Sequence, residues 1–268
     1  MVVDFSHPIA IQIRHKIVQA SHDFGLIEGG DRILVCVSGG KDSSVLLASL
    51  LEIQRRSPFE FYFEAALLDQ KQPGFQVGEF RNWVESLGIK FNLIERDTYS
   101  IVKEKVTDGS VYCSLCSRLR RAILYDFASD HSFNKIALGH HREDLLETAM
   151  LNLFYSGHLA TMPAKLLSDD KRNVLIRPLA YVGEQEIINL MEIWKFPVLP
   201  CNLCGSQDGL KRQKMKNLIS ELEQTIPGIR ASMIKALSQV HPSQLLDQNL
   251  WDFKGLKQQK TLAAHSNM

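Results

Sequence analysis

The stretch 33-ILVCVSGGKDSS-44 joins an apolar run to a glycine turn and then to a helix-forming segment. A buried strand ending in such a turn, with a helix behind it, is the opening unit of a parallel α/β sheet. A Walker A loop would need glycine where Val35 stands and Ser or Thr where Asp42 stands, so that kind of nucleotide loop is disfavoured. What remains is Ser38-Gly39-Gly40-Lys41-Asp42-Ser43 at a helix N-terminus. Two glycines let the backbone approach an anion, successive N–H groups and the helix dipole face it, and Lys41 adds a positive charge. The alternative is a tight turn whose Ser and Asp merely cap the helix. The full string after a buried strand, with lysine inside it, favours phosphate binding.

Working outward, Ile9, Ile13, Ile17, Ala20 and Phe24 recur at helical spacing and Gly25 follows as a stop, so a helix precedes the first strand. Beyond it the periodicity alternates. Strands are expected at 33–37, 61–68, 91–95, 135–138 and, less clearly, 174–176, with helices at 42–54, 75–87, 118–131, 142–154 and 184–194. This pattern predicts an α/β fold with a doubly wound, mostly parallel sheet and ligands at the carboxyl ends of the strands. After Pro197 come a cysteine loop and two helical stretches, 210–223 and 229–240, read as a C-terminal helical extension folding back on the sheet domain.

The chain has 268 residues, 45% of them hydrophobic and 23% charged, with a net charge of +1. That is ordinary globular composition, and near neutrality leaves room for a local basic face. No apolar run approaches the length of a membrane span, and the charged start 1-MVVDFSHPIAIQIRHK-16 does not suit a secretory signal, so a cytoplasmic protein is expected. In a reducing compartment the five cysteines are better read as metal ligands or catalysts than as disulfides. Four form the pairs 113-CSLC-116 and 201-CNLC-204; Cys36, inside an apolar strand, reads as a small buried hydrophobe. For the pairs, a four-thiolate zinc site, an iron–sulfur cluster and redox cysteines all remain open, as does a plain buried turn at 201–204.

The string SGGKDS resembles the signature of the PP-loop ATP pyrophosphatases, which cleave ATP between the α and β phosphates and transfer AMP to a substrate oxygen. With 113-CSLCSRLRRAILY-125, 137-ALGHHRED-144, 176-IRPLAYV-182 and 196-FPVLPCNLCGSQ-207, the chain resembles the tRNA 2-thiocytidine synthetase (TtcA) branch of that family along nearly its whole length. The resemblance implies an adenine nucleotide alpha hydrolase-like fold. Its divisions would be an N-terminal helical segment at 1–30, an ATP-binding domain at 31–196 and a cysteine loop with helical extension at 197–268. It also implies a 4Fe-4S cluster, one per subunit, on Cys113, Cys116 and Cys204, with Cys201 outside the ligand set.

The implied reaction uses ATP and Mg²⁺ to adenylate the C2 oxygen of a cytidine at position 32 of a tRNA anticodon loop. Sulfur from a cysteine desulfurase then displaces AMP, and a homodimer is the expected assembly. Nucleotide contacts are expected from Ser38, Gly39, Gly40, Lys41, Asp42, Ser43, Asp69, Gly139 and His140, with Lys41, Asp42 and Asp144 as the catalytic set. Asp144 is a candidate for holding Mg²⁺, whereas His141 suits capping or packing and Asp69 equally suits a turn cap.

Basic residues flank both cysteine pairs: Arg118, Arg120 and Arg121 after the first, and Lys211, Arg212, Lys214 and Lys216 after the second. They would bring RNA phosphate near the cysteines, or they are solvated helix faces. The family usually has Gly at Ala122, Asp at Glu143 and a loop richer in glycine and lysine where 156-SGHLATMPAK-165 stands. Glu143 is therefore given no catalytic role, and of that loop Lys165 is the remaining basic residue.

Overall fold

A computed structural model describes residues 3–105, 112–199 and 207–257. Helix α1 (Pro8–Phe24) stops where Gly25 takes the left-handed conformation, φ 59°, that glycine adopts without penalty. Strand β1 (Arg32–Val37) and helix α2 (Lys41–Arg56) follow, then β2 (Tyr62–Asp69), α3 (Gly78–Ser86) and β3 (Phe91–Glu95). Helices α4 (Thr98–Lys105) and α5 (Tyr112–Asp130) lead to β4 (Lys135–Leu138) and α6 (Arg142–Leu151), which runs on as a π-helical segment, Asn152–Ser156. The short strands β5 (Lys165–Leu167) and β6 (Val174–Ile176) precede α7 (Glu184–Trp194), α8 (Gln207–Thr225) and α9 (Ile229–Ser238).

The six strands lie in the order β3-β2-β1-β4-β6-β5, parallel except for β5, which pairs antiparallel with β6 along the edge. On the central strand the period of two divides the core. Ile33, Val35 and Val37 face a cluster shared with α1, α2, α3 and α7, while Leu34 and Cys36 face a second cluster with Leu124 and Ala128 of α5. The sheet is thus wound on both faces, as expected. Cys36 is buried there, and burial pushes its thiol up to about 12 against a weaker opposing pull from Arg120, which suits an inert hydrophobe.

Several expected elements change their bounds, α8 among them, which begins at Gln207 rather than at 210. Helix α3 begins at Gly78 rather than at 75, and α5 begins at Tyr112 rather than at 118, so the first cysteine pair lies on its opening turns. The helix expected at 142–154 is α-helical only to Leu151. Strand β5 and helix α4 are additions. Among the described residues no helix is long and apolar enough to cross a membrane.

The strand order reverses at β1: β2 and β3 lie on one side, β4 and β6 on the other. In such sheets a crevice opens between the carboxyl ends of the two strands flanking the reversal. Here those are β1 and β4, followed by the 38–43 turn and by Gly139-His140-His141.

Candidate active site

The turn after β1 is built on its own hydroxyls. Ser38 N donates to Ser43 Oγ at 3.2 Å, Gly40 N to Ser38 Oγ at 3.4 Å, and the Ser43 and Ser44 hydroxyls both donate to Gly40 O at 3.1 and 3.0 Å. Gly39 has φ 76°, and a Cβ placed there would stand 2.5 Å from Leu199 Cγ. Leu199 N donates to Gly39 O at 2.9 Å, so the segment after α7 braces the back of the turn. Gly139, past β4, is equally constrained: its Cβ would lie 2.9 Å from Ser43 N. The two loops therefore touch backbone to backbone, and the N-terminus of α2 opens toward the crevice.

Charge converges on this crevice. Lys41 Nζ lies 3.2 Å from Asp42 Oδ1 and 3.3 Å from Glu184 Oε1, the latter at the start of α7. Desolvation, the largest influence on Lys41, acts to lower its pKa, but the Asp42 and Glu184 carboxylates together raise it above the usual lysine value. Asp42 Oδ1 is enclosed without a hydrogen bond from any described residue, with His141 Nε2 at 3.7 Å. His141 is the N-cap of α6, its backbone N donating to Asp144 Oδ2 at 3.0 Å, and its ring lies 3.4 Å from Glu143 and 3.5 Å from Asp144. Burial opposes its charge, yet Glu143, Asp144 and Asp42 together raise its pKa. The capping role expected of His141 is present, and the ring also joins the carboxylates of both loops.

His140 behaves oppositely. Burial takes its pKa down to about 4, leaving a neutral imidazole whose Nδ1 has no hydrogen-bond partner among the described residues. Glu143 is held near 2: burial would raise it, but His141, Arg142 and the Glu184 backbone N–H outweigh that. With Arg142 Nη2 at 2.5 Å and Glu184 N at 2.7 Å, Glu143 is a strut joining α6 to α7.

The C-terminal helices supply further cations. On α8, Lys216 Nζ reaches Glu184 Oε2 at 2.7 Å, and Arg212 lies 3.8 Å from Asp144 and 3.6 Å from Glu147. Residues 212 and 216 are one turn apart and face the crevice, while Lys211 lies 5.3 Å above the ring of Tyr155 and Lys214 is exposed. The basic run after the second cysteine pair is therefore split between these surroundings. Glu147 is raised to about 7 by burial first and by Asp144 second, against the pull of Arg212 and Lys216.

Asp69 ends β2 and accepts from Lys71 N at 2.7 Å, the turn-cap contact expected as its alternative role. Gln70, beside it, accepts from Cys116 Sγ at 3.1 Å, which sets this half-buried thiol at the carboxyl edge of β2. Cys113 lies one turn earlier on α5. Cys201 and Cys204 lie outside the described residues. Among the described residues no three His, Cys, Asp or Glu side chains converge as a metal site. The thiol donors nevertheless suit a soft metal group: Cys116 stands at the crevice end of the sheet, and Cys204 follows Leu199, which is bonded to the glycine turn, within about 17 Å of extended chain.

Sequence reasoning gave no role to Glu184, Glu147 or Arg177. Arg177, just past β6, is 7% exposed, donates to Pro163 O at 2.5 Å, and leaves its Nε without a partner among the described residues. Its signal was the motif 176-IRPLAYV-182, which reads locally as a turn.

Comparison with known proteins followed the same lines. Residues 9–197 match the PP-loop domain family. A tRNA-cytidine(32) 2-sulfurtransferase of Bdellovibrio bacteriovorus is 63% identical over 255 residues, covering 95% of this chain and 98% of that protein. One from Francisella tularensis, tRNA-cytidine(32) 2-sulfurtransferase 1, is 52% identical over 242 residues, covering 90% and 91%. The solved structure of the U34-tRNA thiolase NcsA from Methanococcus maripaludis with its 4Fe-4S cluster superposes with a TM-score of 0.69 at 20% identity, covering 87% of this chain and 80% of that one. At that identity the likeness speaks for the fold.

Proposed function

This chain belongs to the PP-loop family, in its tRNA 2-thiocytidine synthetase (TtcA) branch, and from that membership we propose an ATP-dependent tRNA sulfurtransferase that converts cytidine 32 of the anticodon loop to 2-thiocytidine. The observation carrying the ATP-dependent step is the glycine-built turn 38–43, closed behind by Leu199 and seated on Gly139, with Lys41 at its mouth.

In this reading Ser38, Gly39, Gly40 and Ser43 present the turn to the β and γ phosphates, and Lys41 offsets their charge. The C2 oxygen of cytidine attacks the α phosphorus, the bond from that phosphorus to the bridging oxygen breaks, and pyrophosphate leaves into the turn. A sulfur nucleophile then adds at C2, and AMP departs with the original oxygen. Asp42 and Asp144 would hold Mg²⁺: both carboxylates border the crevice, with Lys41 and His141 as the neighbours of Asp42 Oδ1. His140, uncharged at neutral pH, contacts nucleotide or base without adding a positive charge. Asp69 and Gly139 line the ends of β2 and β4 beside the nucleotide.

Cys113, Cys116 and Cys204 would hold a 4Fe-4S cluster, which when bound supplies a place to keep sulfur before transfer. An unpaired anticodon-loop base is cheap to unstack, which suits a crevice that must reach C2. A cysteine desulfurase as sulfur source, a homodimer and a cytoplasmic location complete the proposal.

Anaerobic purification with iron, sulfide and zinc analysis tests the cluster. About four irons and four sulfides per chain, with a broad band at about 400 nm lost in Cys113→Ala, are expected; one zinc and no sulfide would sink the cluster. Incubation with ATP, sulfide and tRNA should yield AMP, pyrophosphate and 2-thiocytidine by nucleoside mass spectrometry. ADP as the product would refute α–β cleavage.

A further inference from the structure

Helix α6 begins at the crevice and ends in a patch with different chemistry. In the π-helical segment that continues it, Leu153, Phe154 and Tyr155 are 50%, 54% and 51% exposed, an unusual run of three large apolar side chains facing solvent. A π-helical turn within an α-helix often marks a functional position. Tyr155 follows Asp144 along this continuous helix, its last residues π-helical, so the patch lies at most roughly 16 Å along the axis from the crevice end.

The surroundings decide what the patch suits. Residues 152–165 and 210–217 contain no Asp or Glu; of their cations Lys165 is held by Gly25 O and Glu28, and Arg212 and Lys216 by the crevice carboxylates, which leaves Lys211 and the exposed Lys214 without an ion pair among the described residues. Lys211 Nζ already lies 5.3 Å above the Tyr155 ring. Exposed aromatic faces with an ammonium group over one of them, and no carboxylate in either segment, fit a polyanion whose units also stack: single-stranded nucleic acid. An apolar protein partner would leave the Lys211 ammonium desolvated without a counter-charge.

We infer that the exposed rings of Phe154 and Tyr155, with Lys211 over the latter, form the platform on which unpaired nucleotides of the tRNA anticodon loop stack while the target cytidine reaches the crevice. The inference rests on the reading that the substrate is tRNA. The separation along α6 spans a few nucleotides, so base and platform can be engaged by one loop.

The test uses the full-length protein and an unmodified tRNA transcript bearing cytidine 32. Phe154→Ala/Tyr155→Ala and Lys211→Glu should each weaken tRNA binding by fluorescence anisotropy, the double variant roughly tenfold or more. ATP affinity should be unchanged, and Phe154→Tyr/Tyr155→Phe should retain binding, which a purely structural role would not require. Sedimentation velocity on the same samples reports self-association. Unaltered tRNA affinity in both disruptive variants, with wild type still forming 2-thiocytidine, overturns the platform and leaves the proposed function standing. Dissociation of a wild-type dimer by the double alanine variant, with tRNA affinity per chain preserved, assigns the patch to a second copy and also overturns it. A wild-type protein that binds no tRNA removes both readings, whereas one that binds tRNA through these rings without thiolating it keeps the platform and refutes the reaction.

Discussion

Strands β1 and β4 run side by side, and their two ends are built on opposite principles. At the amino ends Lys135 Nζ lies 2.7 Å from Asp31 Oδ2 and 2.7 Å from Glu28 Oε2, and Asn134 donates to Asp31 Oδ1 at 2.8 Å. Each buried charge there has its partner. At the carboxyl ends His140 Nδ1 and Arg177 Nε are enclosed without hydrogen-bond partners among the described residues, and the carboxylates of Asp42, Glu143 and Asp144 crowd round the single ring of His141. The first arrangement serves the fold; the second holds capacity open for something the fold does not supply.

The comparison can be broken first at the amino end. Lys135→Met strands Asp31 in a buried position, and urea denaturation should show a loss of about 3–5 kcal/mol, with thiolation per folded molecule retained. Adding Asp31→Leu should recover much of that loss. At the carboxyl end Lys41→Ala should reverse the pattern: a fall in thiolation rate of about 10²–10³-fold with little change in the unfolding midpoint. Equal stability losses for Lys41→Ala and Lys135→Met would erase the distinction.

Gly139→Ala probes the seam between the two loops. Its Cβ would meet the Ser43 backbone, so a loss of about 1–3 kcal/mol is expected in urea, together with weaker ATP binding by calorimetry. The smallest effect concerns pH. Glu147 in the folded state is raised to about 7 from 4.5. Between those values the native state therefore holds more protons than the unfolded chain, and this residue's contribution to stability declines as pH rises. Glu147→Gln should flatten that decline, measured in metal-free buffer; a slope unchanged from wild type would show that Glu147 ionises normally.

What the sequence made legible divides along similar lines. The turn 38–43, strand β4 and helix α7 were readable because their signals are local: a glycine string, an apolar run, a capped amphipathic stretch. Helix α5 was read six residues short because Tyr, Cys and Ser at 112–114 are indifferent helix formers, and a cysteine pair suggests a loop. Strand β5, three exposed residues, has no alternation to detect. Within the site, Lys41, Asp42, His140 and Asp144 belong to contiguous motifs. Glu184 and Lys216 enter only because α7 and α8 pack near the turn, a tertiary fact with no local trace. The basic run 211–216 shows the limit most sharply, since neighbouring residues of one helix face a carboxylate, an aromatic ring and water.

Gly39 offers no room for even a methyl group against Leu199, and the two backbones are tied by a hydrogen bond. The chain reaches its second cysteine pair directly from that tie. Under the proposed function, phosphate grip and thiol supply would share one joint: any free energy by which a nucleotide in the turn favours the Gly39–Leu199 tie, a group held by the cysteines that favours the same tie must return to nucleotide affinity by the same factor.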